Sequence, residues 1–281
     1  MSCLDRVIAC AGFEPSQFRA FRISGVLVGH VTADFSKRLR RHDSVFVVDD
    51  NHVDLHSSFT DAEARTVAVA KVLQALRADG LVPGWRDEPY PVAEAFNAPA
   101  LLTIERAAVP LFGVRGYGVH INGYVRRAGE YHMWIARRSL KKPTGPGKLD
   151  QMVAGGQPAG LALRDNLIKE CGEEAGIPPA LAAQAKSVGT VSYVVDRPDG
   201  LRRDVLFNFD LELPEDFEPK NVDGEVEEFY LWPIAEVMTL LCNSDDFKFN
   251  SGLVLIDFLV RHGYIDSEHP DYVEIVAGLH A

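Results

Sequence analysis

The chain is missing several features that would have fixed its class at once. No stretch of its 281 residues approaches the roughly 18 consecutive apolar positions of a membrane-spanning helix. That excludes a helical membrane span, and no membrane partner is expected. The opening MSCLDRVIAC carries an early Asp5 and no long apolar run, so it does not read as a secretory leader. Cysteine is scarce. The four, at positions 3, 10, 171 and 242, form no C-x-x-C pair and no closely spaced framework. This excludes a disulfide scaffold and leads to an expectation of reduced thiols in a cytoplasmic protein. Basic charge is also in deficit, with 29 Lys and Arg against 40 Asp and Glu, a net of −11 and a pI near 5.3. Such a surface repels nucleic acid, so none is expected as a partner, and any phosphate-bearing ligand must be drawn in by a local basic patch or by a metal ion. There is no internal repeat and no low-complexity segment. With 47% hydrophobic and 25% charged residues, the composition is that of an ordinary globular chain. Its length allows two modest domains.

The most informative segment is residues 155–177, which ends in Lys169-Glu170-Cys171-Gly172-Glu173-Glu174-Ala175-Gly176-Ile177. It reads as a short amphipathic helix over 161–175, preceded by a Gly-Gly turn and stopped by Gly176. At about 100° per residue, Glu170, Glu173 and Glu174 stand at i, i+3 and i+4 and share one side. Like charges at that spacing destabilise a helix unless a cation neutralises them. Three glutamates most often form a solvated acidic face. Here the Gly-Gly turn, the apolar Leu163, Leu167 and Cys171 on the inner side, and the terminal glycine favour a metal site. Mg2+, with Mn2+ as the alternative, is a hard cation that takes carboxylate and phosphate oxygens.

These residues resemble the Nudix box, whose pattern is Gly, five residues, Glu, seven residues, Arg-Glu-aliphatic, one residue, Glu-Glu, one residue, Gly-aliphatic. Gly155, Glu170, Glu173, Glu174, Gly176 and Ile177 take their places in it. Cys171 replaces an aliphatic, which a buried thiol can do. Leu161 stands where the family has its first glutamate, and Lys169 stands where it has arginine. In the family those two positions often form an ion pair that shapes the loop, so here the loop must be held differently while the three helix carboxylates remain. Further upstream, Trp134-Ile135-Ala136-Arg137-Arg138-Ser139, Lys142-Pro143, Pro146-Gly147, Leu149-Asp150 and Met152-Val153-Ala154-Gly155-Gly156 look like one Nudix subfamily with an extra N-terminal domain. In fungi that module is found fused ahead of thiamin pyrophosphokinase. Relatives are similar to enzymes that hydrolyse diphosphates of thiamin analogues to monophosphates.

The rest of the pattern agrees with such a layout. Residues 1–20 suggest a short helix packed against the first domain. Residues 25–32, 45–48 and 53–55 alternate as strands, and Thr60-Asp61-Ala62-Glu63 is a capping-box signature opening a helix that ends at Gly80. Pro83, Gly84, Pro89, Pro91 and Pro99 then predict an irregular stretch. This outlines a small α+β domain over 1–105. Over 106–281, strands are expected at 108–112, 119–126, 132–137 and 225–231, with a hairpin of 186–195 and 202–213. Helices are expected at 161–175, from Pro178-Pro179, at 233–241 and at 251–262. Strands interrupted by helices without regular alternation argue for an α/β/α sandwich around a mixed sheet, the fold class that the Nudix resemblance also implies.

The resemblance implies a Mg2+-dependent pyrophosphohydrolase cleaving a small-molecule diphosphate, with thiamin diphosphate or an oxidised analogue as the first candidate. An ADP-ribose-like nucleoside diphosphate, or a non-catalytic ligand-binding role, stands as the alternative. Glu170, Glu173 and Glu174 are the catalytic and metal candidates. Glu225 and Glu227, near where many relatives bring another acid to the metal, would share a strand face, and Glu227 is assigned as the further ligand. Arg137 or Lys142 is the expected diphosphate contact, since on a strand Arg137 and Arg138 point to opposite faces. Gly155 and Gly156 would let backbone amides approach the phosphates. Phe112, Tyr117, Tyr124, Trp134 and Tyr193 are core candidates that a flat ligand could also use. His52-Val53-Asp54-Leu55-His56 lacks a full zinc pattern. Two roles are open to the N-terminal domain: covering the substrate's ring or building a homodimer.

Overall fold

The computed structural model describes residues 2–280. It opens with helix α1 (Cys3–Ile8), closed by a reciprocal cap in which Asp5 N–H donates to the Ser2 hydroxyl and Ser2 N–H to the Asp5 carboxylate. Strands β1 (Phe18–Ile23), β2 (Val26–Thr32), β3 (Phe46–Val48) and β4 (His52–Leu55) then form a sheet in the order β2-β1-β4-β3. Helix α2 (Ala33–Leu39), absent from the sequence reading, follows β2 directly because the Thr32 hydroxyl accepts the Phe35 N–H. Helix α3 (Ala62–Ala78) is capped one residue later than the sequence signature suggests, by Asp61 accepting the Ala64 N–H at 2.8 Å. The Pro-rich stretch is not irregular throughout. It contains a hairpin of β5 (Pro89–Val92) and β6 (Leu102–Glu105), with Pro89 and Pro91 tolerated because β5 has a partner on one side alone. Phe21, Val53, Leu73, Leu102 and Phe112 centre the core of this half.

Residues 108–112, expected as a strand, instead make a 3₁₀ turn and the short helix α4 (Val109–Phe112). Pro110 sits in its first turn, where the missing N–H costs nothing, and Gly113 closes it at φ 53°. Then come β7 (Arg115–Arg127), β8 (Glu130–Arg138), β9 (Leu149–Gln151) and β10 (Val153–Gly156), helices α5 (Leu163–Ala175) and α6 (Pro179–Ala182), the hairpin β11 (Lys186–Arg197) and β12 (Gly200–Glu212), and β13 (Val226–Pro233). The sheet runs β11-β12-β7-β8-β13, with β12 parallel to β7 and the other pairs antiparallel; β10 pairs with β7 and β9 with β8. Helices α7 (Ile234–Asn243), α8 (Phe249–Arg261) and α9 (Tyr272–Gly278) follow.

The α/β/α sandwich has two separate cores. Leu167, Cys171 and Ala175 of α5, each fully buried, stand at i, i+4 and i+8 and press on Val119, Ile121 and Val153. On the opposite face Leu253, Ile256 and Phe258 of α8 pack against Met133, Ile135 and Tyr193. Helix α1 joins this second core through Cys3 and Val7, with Cys10 just after it, not the N-terminal half as its sequence position suggested. The buried Arg6 guanidinium donates to the carbonyls of Leu241 and Ser244 at the end of α7, and Cys3 is joined to Cys242 by a disulfide. That bridge corrects the expectation of four reduced thiols; Cys10 and Cys171 are free and buried. Among the described residues no helix is long and apolar enough to cross a membrane.

Candidate active site

The three glutamates are positioned by the two ends of α5. At its C-terminus Gly176 adopts φ 64°, its N–H donates to Gly172 O, and the N–H of the buried Ile177 donates to Cys171 O. This is a helix stop closed by a left-handed glycine and anchored by the apolar residue after it. At the N-terminal end the loop that the family holds with its Glu–Arg pair is held by amides. Asn166, fully buried, donates to Gly156 O at 2.8 Å and to Gln157 Oε1 at 3.0 Å, and Gln157 donates to Leu161 O at 2.6 Å. Gln157 and Asn166 are residues that the sequence reading did not single out. Their signal was two amides flanking a loop that had lost its ion pair.

Glu174 is buried, 5% exposed, with Oε2 accepting the Ala154 N–H of β10 at 2.7 Å. Burial pushes its carboxyl up; the Ala154 N–H opposes this, and the like charges of Glu170 and Asp150 add to it. The Glu170 carboxylate lies directly over Gly155, where any Cβ would overlap it. Burial raises Glu170 too, against the pull of Lys169. Glu173 is more open. Lys169 spans it and Glu170, at 2.6 Å from Glu173 Oε2 and 3.1 Å from Glu170 Oε1. So the lysine at the family's arginine position sets its ammonium between two of the carboxylates. Among the described residues no three His, Cys, Asp or Glu side chains converge tightly enough to hold a metal ion. The donor set nevertheless suits one, since like-charged carboxylates, one buried and one half-buried, with an ammonium seated between Glu170 and Glu173, favour a cation in that place.

The remaining candidates divide. Lys142 ion-pairs with Glu225, is 14% exposed at its side chain, and is pushed down by burial against the attraction of Glu174. Arg137 donates to the Tyr230 hydroxyl at 3.0 Å and to Gly147 O at 2.9 Å, beside Glu228 and Asp246. Arg138 goes the other way into a buried pair with Asp150 at 2.7 Å, as alternate residues of a strand must. Asp150 is held far below the usual carboxylate range. Burial, which would raise it, is overcome by Lys248 and Arg138, with help from His120 and Ser251. Glu227 is exposed, because β13 carries a bulge between Val226 and Glu228 that makes Glu227 the extra residue. Glu225, not Glu227, reaches the cations near the helix. The His52 imidazole is taken up by Asp49 and Asp54 at 2.8 and 3.1 Å, Asp54 by Arg22, and His56 by Ser58. Of the aromatics, Tyr193 and Phe112 are core, and the Tyr117 ring meets Phe96 at a tilt, with centroids 5.0 Å apart.

The N-terminal half also reaches this site. Ala159 N–H donates to Pro89 O of β5 at 2.8 Å, and a Cβ on Gly156 would overlap the Tyr90 hydroxyl. Arg106 lies beside Gly156, ion-paired with Glu88 at 2.7 Å.

A mixed sheet sandwiched by helices, with carboxylates of one helix gathered against a Gly-Gly strand end, defines a class of hydrolases acting on phosphoric anhydrides. Residues 116–251 match the NUDIX domain family, and residues 2–116 match a domain of unknown function, DUF4743. The chain is 48% identical over 277 residues to Nudix hydrolase 24, chloroplastic, of Arabidopsis thaliana, covering 97% of this chain and 76% of that one. It is 47% identical over 268 residues to Nudix hydrolase 20, chloroplastic, of the same plant, covering 92% and 72%. Among solved structures, the MutT protein from Methanosarcina mazei Go1 aligns with a TM-score of 0.41 at 17% identity, over 54% of this chain and 96% of that one. The chain belongs to the Nudix hydrolases, enzymes that act on diphosphates with the help of a divalent metal ion.

Proposed function

We propose that the chain is a Mg2+-dependent pyrophosphohydrolase that cuts a small-molecule diphosphate, thiamin diphosphate or an oxidised analogue, to the monophosphate and inorganic phosphate. The observation that carries the metal-dependent reading is the pair of carboxylates turned against the strand end, half-buried Glu170 over Gly155 and buried Glu174 on the Ala154 amide, on one helix with Glu173. These three residues would hold the ion, with Mn2+ as a substitute. Bound there, a divalent ion neutralises phosphate oxygens and activates water. Glu174 has one oxygen tied to Ala154 and one left to orient a water and take its proton. Gly155 and Gly156 make room for the Glu170 carboxylate and the Tyr90 hydroxyl against β10, so their own part in phosphate binding would be through backbone amides; Lys142 supplies a positive charge, and Arg137 keeps its bonds to Tyr230 and Gly147 O. Glu227 would join the metal only if β13 shifted at its bulge. The thiamin part of the reading rests on the resemblance of residues 134–156, and the ADP-ribose-like alternative is its competitor. A cytoplasmic location belongs to the same proposal, although the Cys3–Cys242 bridge removes the cysteine argument for it; fractionation of expressing cells tests it against a plastid location.

Phosphate release from oxythiamin diphosphate, thiamin diphosphate and ADP-ribose is the test, with and without Mg2+, for wild type and Glu174→Gln. Mg2+-dependent turnover of the thiamin compounds, lost in the variant, is the expected result. Preference for ADP-ribose would retain the metal chemistry and reject the substrate.

A further inference from the structure

The Nudix match covers residues 116–251, yet the side chains beside Gly156 come from before it. Arg106 follows the end of β6, and Tyr90 lies on β5. A Cβ on Gly156 would stand 3.3 Å from the Arg106 guanidinium carbon, so that guanidinium rests on the strand end next to Gly155, over which Glu170 lies. Arg106 has the Tyr90 ring 5.7 Å below its guanidinium, and Glu88 occupies its Nη1 at 2.7 Å. Arg86 approaches from the same half, its guanidinium 3.9 Å from Glu225, the carboxylate that also pairs with Lys142. Backbone contacts fix the 84–88 loop in place. Arg86 N–H donates to Glu105 at 2.8 Å, Glu88 N–H to the same carboxylate at 3.2 Å, and Gly84 lies against Pro143.

Three cations, Arg86, Arg106 and Lys142, thus converge from two halves of the chain on the edge of the carboxylate site. The positive charges of Arg86 and Arg106 bear on Lys142, and Arg106 also feels Glu170. In a chain with a net charge of −11, such a concentration needs a reason. Their present partners, Glu88 and Glu225, are single carboxylates 28% and 32% exposed, and Arg106 itself is 41% exposed. A diphosphate offers more oxygens and more charge than either carboxylate and matches the guanidinium fork.

We propose that the N-terminal module completes the substrate site: Arg106, held beside Gly156 by the Tyr90 ring, and Arg86 bind the diphosphate of the substrate, displacing Glu88 and Glu225. This rests on the diphosphate reading above but not on which organic group the diphosphate carries. It gives the module a share in the substrate site. Arg106 and Arg86 are binding residues, and the Nudix helix keeps the chemistry.

The probe is methylenediphosphonate, a diphosphate mimic with no cleavable bridge, titrated calorimetrically into the full chain with Mg2+. Wild type is expected to bind. Arg106→Gln should weaken binding about ten- to a hundredfold, the worth of a charge-assisted contact, and Arg86→Gln by a smaller factor. Glu88→Gln removes a competitor and should tighten binding, a gain that a purely structural Glu88–Arg106 pair would not give. Turnover of the substrate found above should follow the same order in KM with kcat little changed. Unchanged binding in both arginine variants, weaker binding in Glu88→Gln, or no binding by wild type would overturn the proposal. If Arg106→Gln fails to fold, Arg86→Gln and Glu88→Gln decide it. Arginine-dependent binding combined with no turnover of the thiamin compounds would reject the thiamin reading and uphold this one.

Discussion

His120 gives a prediction whose size can be worked from its surroundings. It lies on β7, 3% exposed, with Nδ1 at 2.8 Å from Gln151 Oε1, while Gln151 in turn donates to Ser251 O. Burial, reinforced by the positive charges of Lys248 and Arg138 and opposed by Asp150 and Gln151, lowers its pKa to about 4 from 6.5. A group whose folded pKa is depressed contributes stability above its unfolded pKa. That contribution is lost progressively as pH falls from the unfolded value toward the folded one, because the unfolded chain takes up a proton that the native chain refuses. The full span is about 3 kcal/mol, at about 1.4 kcal/mol per pH unit of difference. Between about pH 7.5 and about pH 5 the native state should lose about 2 kcal/mol from this residue alone. Other groups titrate in the same window, so the measurement is a difference. Urea unfolding of wild type and His120→Gln at both pH values isolates the imidazole, since glutamine can still donate to Gln151 but cannot take up a proton. The wild type should lose about 2 kcal/mol more than the variant on acidification. Parallel losses would mean that His120 is hydrated or protonated in the native protein and that the buried-imidazole argument is wrong.

The other predictions concern the site and its supports. Gly155→Ala forces the Glu170 carboxylate off the strand end, so metal-dependent turnover should fall by at least about tenfold while the thermal midpoint stays close to wild type; unchanged kinetics would mean Glu170 acts from another position. Gly172→Ala, on the same helix with nothing within 4 Å of the new Cβ, should be stabilised by about 0.5–1 kcal/mol in denaturant unfolding and turn over normally. Asp150→Asn strands Arg138 and Lys248 in the interior and should cost about 3–5 kcal/mol in the same assay. A loss under about 1 kcal/mol would show that water reaches the pair. Thiol titration of the denatured, unreduced chain should find two reactive cysteines, and reduction should lower stability by up to about 5 kcal/mol, since the bridge closes a loop of 239 residues. Four reactive thiols would refute the bridge.

What could be read from the sequence was whatever repeats locally. The acidic helix announces itself through the i, i+3, i+4 spacing of Glu170, Glu173 and Glu174, through Leu167, Cys171 and Ala175 on the other face, and through Gly176, all within one helix and its stop. The sandwich followed because its long hairpin alternates. The misreadings share a cause: a local pattern was decided by a distant partner. Val109-Pro110-Leu111-Phe112 is apolar throughout and so carries no period, and Pro110 at a helix start looks the same as Pro110 at a strand edge. The prolines at 89 and 91 hid β5, whose existence depends on β6 across the hairpin. Helix α1 resembles a lead-in to the strands that follow it, yet its fate is set by Cys242 and Leu241, more than two hundred residues away. The common face expected for Glu225 and Glu227 is lost for a subtler reason. Counting alternate positions puts Glu225 and Glu227 on one face only while the strand is regular, and the bulge between Val226 and Glu228 breaks that count at the residue where it mattered. For the same reason no spacing rule could reach Arg106 and Tyr90, since their place beside Gly156 exists only once β5 has docked on the loop after β10. The acidic helix is a local device, whereas the cations beside it are a product of tertiary assembly. Substitutions at the β5 contact should therefore alter substrate affinity while leaving the chemistry of the helix in place.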